Sequence, residues 1–131
     1  MKLLRIFFLF IFLFPWMAEA TLSVKVNEPK KAGDKAVIKL TLKNTFAEKI
    51  ESARAVIFLI NDEGKVVGQA TRWVIGGSKD KPALEPGKEI TFNFVVSAEK
   101  PFTKTKLTFS RIILQGGMLA DVNKDVQIKL P

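Results

Sequence analysis

The residue types that carry most enzyme chemistry are largely missing from this chain. Its 131 residues include no histidine, no cysteine and no tyrosine. Histidine is the commonest general base, cysteine is the strongest common nucleophile, and both are preferred ligands of transition metals. Without them, only carboxylate, lysine and serine chemistry remains open.

Three polar segments contain such residues, but none has the spacing that a site requires. Asn61–Glu63 precede Gly64, and a calcium loop would need more acidic residues at alternate positions and a glutamate farther on. Glu85 and Glu89 flank a Pro-Gly turn, and residues 78–81 place serine and lysine in a polar loop without apolar shielding. We therefore predict no catalytic residue, no metal ligand and no cofactor, and we expect that the protein is not an enzyme.

The strong positive charge shows no pattern typical of a nucleic-acid-binding segment. The formal net charge is +8, and apart from the pair Lys30-Lys31 the lysines stand singly rather than in runs. Single lysines at alternate positions are typical of the solvent-facing side of a strand. We expect no nucleic-acid partner. Weak attraction to an anionic envelope component is the functional alternative to a merely solvated surface.

Residues 1–20 have the pattern of a cleaved signal peptide. Lys2 and Arg5 give a positive start, nine apolar residues follow, and Ala18–Ala20 matches the small-x-small cleavage pattern. The apolar run is shorter than the roughly 20 residues that span a bilayer. We predict a mature protein that begins at Thr21 and is periplasmic or secreted; an uncleaved anchor is the alternative.

The remainder, residues 21–131, reads as one all-β domain built around a hairpin. Apolar residues make up 47% of the chain, which is enough for a core. Alternating apolar and polar residues, separated by Gly and Pro turns, predict short strands without sustained helical periodicity. The predicted strands are residues 22–26, 36–43, 53–60, 66–75, 89–96, 106–115 and 124–130. This pattern predicts an immunoglobulin-like β-sandwich of about seven antiparallel strands.

Three landmarks between residues 38 and 96 together resemble a known family. They are Lys43-Asn44-Thr45, the hairpin Leu59–Gly68 with Gly-Lys-Val-Val after its turn, and Leu84-Glu85-Pro86-Gly87 before a Phe-containing strand. This order resembles FxLYD-type domains, which are small immunoglobulin-like domains of exported prokaryotic proteins. The chain has Ile60 and Asn61 where that pattern has Tyr and Asp. The resemblance implies a non-enzymatic accessory or interaction module.

The first hairpin strand is apolar on both of its faces, which suggests a binding surface. If Ile57 and Leu59 point into the sandwich, the alternate residues point away from it. The candidate interaction surface is Val56, Phe58, Ile60, Trp73 and Ile75. The alternative is that both faces of this strand are internal.

These patterns indicate a function class without naming a ligand. We expect an exported, non-catalytic binding or accessory module that contacts a protein partner in the cell envelope, through this surface or through an exposed strand edge. The alternative is a structural envelope protein that associates with an anionic polymer or membrane surface through its basic face.

Overall fold

The chain folds into two β-sheets. A computed structural model describes residues 21–78 and 81–131, which contain eight strands and one short 3₁₀ turn at Gln115–Gly117. The strands are β1 (Leu22–Val26), β2 (Lys30–Ala32), β3 (Lys35–Asn44), β4 (Ile50–Ile60), β5 (Val66–Ile75), β6 (Glu89–Ser97), β7 (Lys104–Leu114) and β8 (Val126–Lys129). The predicted all-β character and the two-sheet, sandwich-type architecture are confirmed. No described helix is long and apolar enough to cross a membrane.

The first sheet is organised around β3, the most regularly amphipathic segment. Along β3, buried residues alternate with exposed or half-buried ones, because successive side chains of a strand point to opposite faces. Strand β6 pairs with one edge of β3, while β1 and β2 pair with the two halves of its other edge. Strand β8 extends the sheet by pairing with β1 in parallel.

The second sheet has the order β5-β4-β7, with the hairpin strand β4 in its centre. The side chains of Ala55, Ile57 and Leu59 are fully buried at alternate positions. The sandwich core lies between these residues and the inward side of β3, where Ile38, Leu40 and Leu42 are fully buried. The apolar residues that alternate along β3 therefore face the core.

One buried polar side chain joins the two loops at an end of the first sheet. Asn44 is fully buried. Its Nδ2 donates to the carbonyls of Glu48 and Leu84, both at 2.9 Å, and its Oδ1 accepts from the Phe46 amide at 2.8 Å. The Gly87 amide donates to the Asn44 carbonyl at 2.7 Å. The Asn-Thr loop and the Leu-Glu-Pro-Gly turn are thus hydrogen-bonded to each other.

The strand count and pairing differ in part from the sequence prediction. The sequence predicts no strand between residues 26 and 36, yet Lys30–Ala32 pair with β3. All three of these residues are exposed, so the sequence has no alternation of apolar and polar residues that would predict the strand. Strand β8 pairs with β1 in parallel rather than antiparallel fashion. The predicted signal peptide, residues 1–20, lies outside the described residues.

Candidate binding surface on the outer face of the second sheet

Four of the five predicted surface residues lie together on the outer face of β4 and β5. Val56, Phe58 and Ile60 alternate with the buried residues of β4 and are half-buried, as is Trp73 on β5. None of the four belongs to the partly buried apolar side chains that pack against the core. This outer side of the hairpin is therefore open to solvent rather than internal.

The prediction for the fifth residue, Ile75, was wrong. Ile75 is fully buried in the core. Ala53 pairs with Ile75 and the next residue, Arg54, pairs with Trp73, so Val74 is an extra residue in β5. Such a bulge reverses the alternation along one strand. Trp73 and Ile75 therefore point to opposite sides of the sheet, although they are two positions apart.

The register across the sheet places these apolar residues in a strip that has lysines along its β7 side. Phe58 lies between Gln69 on β5 and Lys106 on β7. Ile60 lies between Val66 and Lys104. Val66, which is 53% exposed, was missed because it directly follows the hairpin turn. We call Val56, Phe58, Ile60, Val66 and Trp73 the hairpin face.

Trp73 is held in position at one end of the hairpin face. The Arg54 guanidinium carbon lies 5.4 Å from the centre of the Trp73 ring, a cation–π distance. Gly77 has φ 81° and lies directly against this ring, so that any Cβ at this position would overlap it. Lys81 Nζ donates to the Trp73 carbonyl at 2.6 Å and lies 4.7 Å from the ring centre of Phe92. These contacts give the indole a defined orientation.

The polar segments considered for chemistry have structural roles where they are described. Asn61 Oδ1 accepts from the amides of Glu63 (3.0 Å) and Lys65 (2.9 Å), which closes the β4–β5 turn. Glu85 and Glu89 are exposed. The Ser78 carbonyl accepts from the Lys81 amide at 3.2 Å. Within residues 21–78 and 81–131, no group of three or more acidic side chains is arranged to hold a metal ion.

A second candidate feature is the open seam between β7 and β8. Over the ranges that the structure describes, β7 pairs with β4 along one edge, and β8 pairs only with β1. Near the end of β7, Ile113 bridges to Leu119 on the other edge, so this edge lacks a partner strand only along the earlier part of β7. Two clefts follow this seam, one of about 410 Å³ beside Thr103–Thr105 and one of about 230 Å³ beside Leu107–Phe109. An edge without a partner strand can accept an extended peptide.

Comparison with known proteins supports the fold alone. No protein-family model matches the chain, and no curated protein matches its sequence. A protein designated ApaA from Bordetella pertussis superposes with a TM-score of 0.52 at 14% identity, covering 76% of this chain and 86% of that chain. Structural genomics target SoR45 gives 0.44 at 16% identity, covering 76% of this chain and 75% of that one. IrmA from Escherichia coli gives 0.46 at 12%, covering 83% and 91%.

Proposed function

We propose that this protein is a non-catalytic binding module that docks a protein partner through the hairpin face. The observation that carries the proposal is an apolar strip on the outer side of β4 that receives no support from the core. Side chains in such a position lower the solubility of the free protein and add little to its stability. Burial of their remaining exposed surface against a partner would give these half-buried apolar residues a role.

The chemistry of the hairpin face specifies what kind of partner fits. Two aromatic residues, Phe58 and Trp73, lie on it, and aromatic residues dominate the binding energy of protein interfaces. Arg54, Lys104 and Lys106 border it. The complementary surface would have an apolar centre and an acidic rim.

We also propose an immunoglobulin-like topology of the FxLYD type. Two strand orders support it: β1-β3-β6 in one sheet and β5-β4-β7 in the other. They correspond to the orders A-B-E and C′-C-F of immunoglobulin domains. The last strand departs from that scheme, since β8 pairs with β1 and leaves the earlier part of β7, before the Ile113–Leu119 bridge, without a partner strand on that edge. The hydrogen bonds between the Asn44 loop and the Leu84–Gly87 turn support the FxLYD resemblance, because two of its landmarks are in contact.

The proposed place of action is outside the cytoplasm, in the envelope or beyond it. The proposal rests on the signal-peptide pattern of residues 1–20. The predicted cleavage after Ala20 would leave all eight strands intact, because β1 begins at Leu22.

Capture experiments with matched variants test the proposed surface. The wild-type protein, Phe58→Ser and Trp73→Ser would be immobilised and exposed to an envelope extract of the source organism. Val95→Ser is the matched control, since Val95 is a 49% exposed apolar residue on the outer face of the other sheet. We expect wild type and control to retain one and the same protein, and both hairpin variants to lose it.

Affinity measurements with that protein, once purified, complete the test. Each hairpin variant should weaken binding at least about ten-fold, as truncation of a hot-spot residue does, and Lys106→Glu should weaken it further at low salt. Unchanged affinity in both Phe58→Ser and Trp73→Ser would reject the hairpin face. Binding would then have to use the seam between β7 and β8.

A further inference from the structure

Six lysines share the outer face of the first sheet, on the opposite side of the sandwich from the hairpin face. Lys35, Lys39 and Lys43 occupy every second outward position of β3 and are exposed. The other three are placed there by register: Lys30 opposite Val37, Lys25 opposite Thr41, and Lys129 opposite Lys25. We call these six residues the lysine face.

The lysines of this face form a row because β1 and β2 lie along the same edge of β3. In the order Lys35, Lys30, Lys39, Lys25, Lys43, each lysine is the diagonal neighbour of the next. Diagonal neighbours in a sheet are about 7–8 Å apart. Lys35 and Lys43, the first and last lysines of the row, are eight positions apart on β3, which makes the row about 27 Å long at about 3.4 Å per residue.

Almost no negative charge compensates this row. The single carboxylate in register on the lysine face is Glu89, opposite Lys43, and the one ion pair in the described part of the chain joins Glu63 to Lys65. Apart from Glu51 and Glu89, the described acidic residues all lie outside the strands. Lys25 and Lys129 lie directly opposite each other, an arrangement that destabilises a sheet. A face that carries this unfavourable charge in the free protein is suited to an anionic ligand.

We propose that the lysine face binds a flexible, linear polyanion that carries phosphate or sulfate groups and no bases. A row of cations matches a chain better than it matches a plane of lipid headgroups. The apolar residues of this face are small, namely Ala32, Val37 and Val95, whereas membrane-surface binding typically inserts larger aliphatic or aromatic side chains. No aromatic residue lies at the outward positions of β1, β3, β6 or β8, so this face offers no stacking platform for nucleic-acid bases.

Two triple variants with the same net charge test the assignment. The face variant is Lys25→Gln/Lys39→Gln/Lys43→Gln. The control variant is Lys88→Gln/Lys100→Gln/Lys124→Gln, which changes exposed lysines outside the strands. Binding to long-chain polyphosphate and to heparin would be measured by titration at several salt concentrations.

The expected result is a loss confined to the face variant. The logarithm of the affinity should fall linearly with the logarithm of the salt concentration. If the five lysines of the row contact the polymer, the slope should be about −3.5 for wild type. The face variant keeps two lysines of the row, so its slope should be about −1.4. At low salt, the face variant should bind at least about ten-fold more weakly than wild type, and the control within about twofold. Tighter binding of polyphosphate would indicate a ligand with phosphate groups, and tighter binding of heparin would indicate a ligand with sulfate groups.

Thermal melting provides a readout that does not depend on the binding assay. Either polymer should raise the melting temperature of wild type and control, but not of the face variant. In the absence of polymer, the face variant should melt no lower than wild type at low salt, because the Lys25–Lys129 repulsion is removed.

Three results would overturn the proposal. They are an equal loss of affinity in both triple variants, no binding of either polymer at low salt, and tighter binding to vesicles of anionic lipid than to either polymer. Phe58→Ser leaves the lysine face intact, so it should bind polymer like wild type whether or not the hairpin face docks a protein. The two proposals can therefore fail separately.

Discussion

The exposure of the hairpin face can be tested by comparing the stability lost in two Phe→Ser variants. Phe58 is half-buried on the outer side of β4, where its neighbours in register are Gln69 and Lys106. Phe94 is fully buried, with its ring edge-to-face to Phe92 at 5.2 Å and 75°. The same change, Phe to Ser, therefore removes very different interactions at the two positions.

The expected magnitudes follow from these environments. Phe58→Ser loses two cross-strand pairs, each contributing about 0.2–1 kcal/mol, so the free energy of unfolding should fall by about 1 kcal/mol. Phe94→Ser leaves a cavity in the core and should cost about 3–5 kcal/mol or more, the range for Phe→Ala. Urea unfolding followed by fluorescence would give both values, with equal m-values as the check that both variants unfold from the same compact state.

A cost of about 3 kcal/mol or more for Phe58→Ser would refute the reasoning. It would mean that the outer side of β4 is covered, as in the alternative in which both faces of this strand are internal. The hairpin face would then be part of the core of a larger assembly and not a free docking surface.

Further changes test the fold, the site and the processing. Leu40→Ala, in a fully buried position of β3, should cost about 2–5 kcal/mol in urea unfolding; less than about 1 kcal/mol would contradict its inward orientation. Asn44→Ala leaves the Glu48 carbonyl and the Phe46 amide without this partner and removes one of two donors to the Leu84 carbonyl. It should cost about 2–4 kcal/mol, whereas an unchanged urea midpoint would contradict this. Gly77→Ala, at a positive φ against the Trp73 ring, should lower stability and shift the tryptophan emission; an unaltered spectrum would mean that the ring has not moved. Intact-mass measurement of the exported protein should give a chain beginning at Thr21, and a mass that includes residues 1–20 would indicate an anchored protein.

Strand positions were predictable where one side of a strand is buried and the other is not. Leu40 and its alternate apolar neighbours, separated by Lys39 and Thr41, indicate both the strand and its inward side. The prediction failed at Ile75 because the bulge at Val74 depends on pairing with β4, which the sequence of β5 alone does not show. It also missed Lys30–Ala32, whose three residues are all exposed, so that only backbone pairing makes them a strand.

The hairpin face was more predictable than the lysine face, because prediction again depends on knowing which strands pair. The four predicted residues that lie together on the hairpin face come from one hairpin, and a short turn fixes which strands are neighbours. The lysine face combines residues from β1, β2, β3 and β8, up to about a hundred positions apart in the chain. Single lysines on separate strands indicate only solvent exposure, and the register between those strands is needed to show that they form a row.

The positions of the two proposed faces predict that both can be occupied at the same time. Sheets in a sandwich pack about 10 Å apart, and the hairpin face and the lysine face lie on the outer sides of different sheets. A partner on one face therefore leaves the other accessible, and the protein should be able to hold a protein partner at a polyanionic surface. Wild type bound to immobilised polyphosphate should capture the partner as well as free wild type does. Mutual exclusion of polymer and partner would show instead that one site serves both, and the proposals for two separate faces would have to be merged into one.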